Sequence, residues 1–210
     1  MKMFETLKNF IRDSSGIAAS EFALGLPVFL TLTIGGLEAT NLALAHLRVS
    51  NLAMTVADNA GRVTSGIDEA DIYEVFAGAQ VIGESLDFEG HGRVILSSLE
   101  SNGRSGHDAG QMIRWQRCWG DLDVDPAYGE EGDGRYDGSL ASGLGRDGNR
   151  ITAMSGTALM FAEVTYDYQP LVPTGFFPSK TIRYESAFNV RGRQNNAISN
   201  TQSLVELDCD

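Results

Sequence analysis

Hydrophobic and polar positions fall into three regimes along this chain. From Phe22 to Leu37 a stretch of sixteen residues (FALGLPVFLTLTIGGL) carries no charge. Beyond it, Leu42, Ala45, Val49, Leu52 and Val56 recur at spacings of three and four, opposite Arg48, Asn51, Thr55, Asp58 and Arg62. That stripe predicts that the apolar helix runs on to about Ala60 with one face buried. Gly61 reads as its C-terminal cap. A second helix is predicted from Asp68 to about Gly83. Asp68 stands at the cap, Glu69 and Asp71 fall in the first turn, and Ile72, Val75, Phe76, Ala79 and Ile82 form the apolar face.

After residue 83 the period becomes two. Arg93–Leu99 and Met112–Trp119 read as strands. Ala158–Tyr168 sets Met160, Ala162, Val164, Tyr166 and Tyr168 against Glu163, Thr165 and Asp167. Thr181–Val190 sets Ile182, Tyr184, Ser186, Phe188 and Val190 against Arg183, Glu185 and Asn189. This alternation predicts strands buried on one face. Gln169–Lys180 holds three of the five prolines and suits a long hairpin connection. The expected fold class is α+β: a long N-terminal helix, then an antiparallel sheet packed against helices.

The charge-free stretch alone reaches about 24 Å as a helix, short of the roughly 30 Å hydrocarbon core of a bilayer. Starting at Ile17 it is long enough, and Glu21 then lies inside or at the edge of the apolar span. A central acid in hydrocarbon costs on the order of 3 kcal/mol on insertion scales, so an intramembrane Glu points to a task. Lys2, Lys8 and Arg12 precede the span and Arg48 is the next cation after it, which favours a cytoplasmic N-terminus. Gly25, Pro27 and the Gly35-Gly36 pair lie within the span. They suit a kinked anchor, and equally a helix built to shift or partly unwind on leaving the bilayer. The residues leave other fates open: an uncut signal anchor, or a secretory peptide cut after Ala43-Leu44-Ala45, before His46.

Residues 61–210 hold 12 Lys/Arg against 23 Asp/Glu, and Lys180 is their only lysine. Such a domain repels phosphate backbones, which argues against nucleic-acid binding. Cys118 and Cys209 fit no zinc spacing. In an exported domain they would be free to pair and close a loop of roughly 90 residues, pinning the C-terminus at a gain of about 4–5 kcal/mol in the chain-entropy model. Trp115 and Trp119 flank Cys118, either buried against such a bridge or offering a sugar platform. Gly120–Asn149 is a Gly/Asp-rich insertion that reads as a solvated acidic loop. Asp121, Asp123 and Asp125 resemble the start of a calcium loop, but Pro126 stands at the turn Gly and Gly132 at the bidentate acid. No catalytic motif is present, His46, His91 and His107 are too dispersed for a local metal motif, and no cofactor is implied.

Gly16, Ala18-Ala19, Glu21-Phe22-Ala23-Leu24, Pro27, Gly35-Gly36 and Glu38 together resemble the TadE/TadG-like minor pilins (pseudopilins) of the Tad, or Flp, pilus. The resemblance implies a non-enzymatic subunit of the bacterial inner membrane with its C-terminal domain in the periplasm. It also implies a leader, residues 1–16, removed by a prepilin peptidase between Gly16 and Ile17. A transmembrane and juxtamembrane helix over 17–60 and a periplasmic domain over 61–210 would follow. Glu21, with Phe22 beside it, would pair subunits by neutralising the Ile17 amine of a neighbour, and Pro27 would kink the helix. The implied partners are other pilin-like subunits, the Tad assembly platform and the peptidase, with surface adherence as the outcome. The competing expectation is a signal-anchored periplasmic protein that binds a ligand or calcium and has no pilus role.

Overall fold

Forty-eight consecutive residues, Ser15–Arg62, form one helix, α1. The computed structural model describes residues 15–172, 180–193 and 195–209. Lys2, Lys8 and Arg12 of the leader, and Pro173 and Pro178 of the connection predicted as a hairpin, lie outside the described residues. The chain divides into two compact units, Met1–Leu42 and Ala43–Asp210.

In the second unit, the apolar stripe of α1 is buried at Ala45, Val49, Leu52, Ala53, Val56, Ala57 and Ala60. A two-residue strand β1 (Ile67–Asp68) leads into α2 (Glu69–Gly83). Asp68 caps α2 as expected, its side chain accepting from Ala70 N while the Asp71 carboxylate accepts from Asp68 N at 2.8 Å. Ile72, Val75, Phe76 and Ala79 form the buried face. A one-turn helix α3 (Phe88–His91) follows, then β2 (Gly92–Ser101), β3 (Gln111–Trp119), β4 (Ala158–Asp167) and β5 (Thr181–Asn189). These four form one antiparallel sheet in the order β3-β2-β4-β5. A final pair, β6 (Ile198–Ser199), lies parallel to β1. The class is α+β, as the periodicity predicts.

Phe88 links the helices to the sheet. Its ring stacks on Trp119 at 5.5 Å and on Tyr166 at 5.8 Å. It fits because Gly92 lacks a side chain: a Cβ there would lie 2.5 Å from the ring. Adjacent strand residues point to opposite faces, so Trp119 turns to this aromatic stack while Cys118 turns to the other face. The sequence expectation of Trp119 packed on a disulfide is therefore corrected.

Three further expectations change. Gly61 is not a cap, since α1 continues to Arg62. Instead Gly61 is a point of close approach, where a Cβ would sit 3.3 Å from Asn189 O, and its carbonyl accepts from Arg191 N. The strand β4 is buried on both faces, with Glu163 and Thr165 buried along with Met160 and Val164. The reason lies in the third correction: the Gly/Asp-rich insertion is not merely a solvated loop. It lies over the second face of the sheet, where Leu140, Leu144 and Ala153 form a core with Leu99, Ile113, Leu159 and Phe161. Tyr128 meets Phe161 edge-on at 5.6 Å. The sheet is thus covered by helices on one side and by an irregular layer on the other.

Candidate functional site

The residues that bear the sequence prediction lie on the first half of α1, and they are bare. Phe22 is 68% exposed, Leu24 77% and Leu32 72%; Ile17, Val28, Phe29 and Leu30 are exposed with them. Water does not tolerate a continuous apolar surface of this kind on a monomer, so it marks a contact with lipid or protein. This is one helix long and apolar enough to cross a membrane by length and composition, and none of its apolar window is buried within the chain.

The polar groups of this helix are mostly turned back onto it. Ser20 donates to Ile17 O, Thr31 to Pro27 O at 2.7 Å, Thr33 to Phe29 O and Thr40 to Gly36 O. Hydroxyls satisfied in this way carry little penalty in an apolar medium. The helix runs through Pro27 without interruption. Gly16 and Ile17 lie in its first turn. Glu21 is exposed, with no hydrogen-bond or ion-pair partner among the described residues, while Glu38 is buried. At Gly16, Gly25, Gly35 and Gly36 an added Cβ would meet nothing within 4 Å. Nothing in this chain's own packing requires a glycine at those places; they leave room for another backbone to come close.

The second unit holds a separate polar assembly at the C-terminal end of β3. Arg117 is buried, and its guanidinium donates to Glu69, itself only 1% exposed, with Nε to Oε1 at 2.8 Å. Glu131, Asp208 and Glu206 close around it at 3.2, 3.3 and 3.5 Å. Burial alone would pull the Arg117 pKa down; the hydrogen bond and charge of Glu69, with the charges of Glu131 and Asp208, outweigh it and raise it. The chain from Glu206 to Cys209 is a strap across β3. Cys118 N donates to Leu207 O, Arg93 donates to Cys209 O, and Cys118 and Cys209 form a disulfide. The cysteine pairing was legible as an option in the sequence; the buried Arg117–Glu69 pair was not, because its partners lie far apart in the chain. Asp121, Asp123 and Asp125 line one cavity with Glu130, Glu131, Glu206 and Asp208. Among the described residues no group of three or more His, Cys, Asp or Glu is placed to hold a metal ion.

A bare N-terminal helix, long and apolar enough to cross a membrane, leads into a disulfide-bonded α+β unit. The family model described as TadE-like protein matches residues 16–58, so that stretch is similar to TadE-like proteins, consistent with a TadE-like protein of the Tad pilus system. The match includes Gly16, Glu21, Pro27 and Gly35-Gly36 and ends before the sheet begins. No curated protein and no solved structure matches the chain.

Proposed function

We propose that this chain is a minor pilin-like structural subunit of a Tad-type pilus that acts in fibre assembly and surface adherence. The observation that carries the reading is the exposed apolar helix from Gly16 to Leu37 with unpartnered Glu21 in its second turn, inside the family match. An acid held in hydrocarbon needs a compensating charge. Cleavage of the 1–16 leader by a prepilin peptidase would supply one, the free amine of Ile17 on a neighbouring subunit. Pairing Glu21 with that amine fixes one axial stagger between helices, and the open glycines let the helices meet. In this reading residues 17–60 anchor the protein in the inner membrane, with the N-terminus cytoplasmic, and residues 61–210 stand in the periplasm. The assembly platform and other pilin-like subunits are its partners, and no catalytic or cofactor role is involved.

Intact mass and terminal sequencing of the membrane-extracted protein test the processing step. An N-terminus at Ile17 is the expected result; Met1 would make it an uncut anchor and His46 a secreted domain. The Glu21→Val variant tests the pairing step. It is expected to insert into the membrane at wild-type levels and to reduce surface piliation severely. Wild-type piliation in that variant refutes the pairing role.

A further inference from the structure

Glu163 on β4 and Glu185 on β5 stand directly opposite each other in the sheet, on the face covered by the insertion. Side chains so placed have Cβ atoms about 4.5–5.5 Å apart, and like charges there repel. Glu163 is only 7% exposed. One of its oxygens, Oε2, accepts from Ala127 N at 3.0 Å, while Oε1 is buried without a partner. Oε2 of Glu185 is likewise buried without one. Both residues line a cavity of about 220 Å³, bounded by Asp125, Tyr128, Arg146 and Arg183.

Arg146, Arg183 and the Tyr128 hydroxyl, which bonds Glu185, border the cavity, but none of them reaches Glu163 Oε1 or Glu185 Oε2. Arg146 lies at its mouth, 61% exposed, its Nε 3.5 Å from Glu185 Oε1 and its Nη2 given to Arg183 O. That leaves two buried acceptors unmet. Their complement is a positive group with several N–H donors, and an ammonium has three. The space is smaller than the roughly 300–1,000 Å³ of drug-sized sites, so it suits one small group. We propose that this cavity binds a primary ammonium group, which donates to Glu163 Oε1 and Glu185 Oε2.

A proton competes for the same place. Burial, with Glu185 adding to it, lifts the Glu163 pKa to about 7. The charged or titratable groups around it are Asp125 and Tyr128 from the insertion, Arg146 beyond them, and Arg183, Tyr184 and Glu185 from β5; His46 of α1 lies in the adjoining cavity beside Tyr184. Between pH 8 and pH 6 the ionised fraction of Glu163 falls from about nine-tenths to about one-tenth, so affinity should drop about tenfold.

The test is titration of the full chain in micelles with n-butylammonium, following the amide of Ala127 by NMR, with n-butanol as the neutral control. Saturable binding at pH 8, about tenfold weaker at pH 6 and lost in Glu163→Gln, is the expected result. A non-saturating response at pH 8, an equal response to n-butanol, or unchanged binding by Glu163→Gln overturns the proposal. Nα-acetyl-lysine N-methylamide serves as a second probe. Binding as tight as n-butylammonium assigns the site to a lysine side chain of a protein partner, and weaker binding assigns it to free amines.

Discussion

Arg117→Met should lower the unfolding free energy of the sheet-bearing unit by about 3–5 kcal/mol, the cost of removing one partner from a buried ion pair. The methionine fills much of the same volume, so the loss comes from charge. Glu69, 1% exposed, keeps a carboxylate with no cation beside it, and Glu131, Glu206 and Asp208 lose the centre they surround. The 206–209 strap is then held chiefly by the Cys118–Cys209 bridge and the Cys118–Leu207 hydrogen bond. A loss of this size is a large share of the roughly 5–15 kcal/mol that separates a typical folded protein from its unfolded chain. Urea denaturation followed by tryptophan fluorescence reads it directly, because both Trp115 and Trp119 lie in β3. The double variant Glu69→Leu with Arg117→Met should recover much of the loss, since apolar replacement of a whole buried pair is often nearly neutral. A single variant within 1 kcal/mol of wild type would remove Arg117 from this role.

The sequence shows the elements of this fold more clearly than the layers between which they pack. α2 is legible down to its cap because Asp68, Glu69 and Asp71 act within one turn of each other. The strands are legible because their alternation is local. The insertion is opaque for the opposite reason. It covers the sheet with isolated apolar residues, Tyr128, Leu140 and Leu144, separated by turns, so no period reveals it. The same gap explains β4. Glu163 and Thr165 are polar and suggest a solvated face, yet a covering layer supplied from another part of the chain buries them. Arg117 and Glu69 are 48 positions apart, and only the completed fold brings them together. The first half of α1 behaves differently. Gly16, Ile17, Glu21 and Phe22 belong to one stretch of helix whose apolar, exposed character is set by its own residues, so that character is legible in the sequence.

Glu163 should make the protein less stable as the pH rises, the reverse of a salt-bridged acid. Its folded pKa, about 7, stands above the ordinary 4.5, so between those values the folded state binds a proton that the unfolded chain has released. Stability therefore falls as pH climbs from about 4.5 to 7, by up to about 3 kcal/mol for 2.5 pKa units, and levels off beyond. The cause is the desolvated carboxylate, facing Glu185 across the strands, where the Ala127 N hydrogen bond and the Arg183 charge offset burial only in part. Glu163→Gln keeps the shape and an acceptor for Ala127 N, and its amide gains a donor toward Glu185. It should match wild type near pH 4.5 and exceed it by about 2–3 kcal/mol at pH 8. Melting curves of both proteins at pH 5, 6, 7 and 8 settle the matter: the two profiles should diverge as pH rises, and parallel profiles would show that Glu163 does not hold its proton in the folded state.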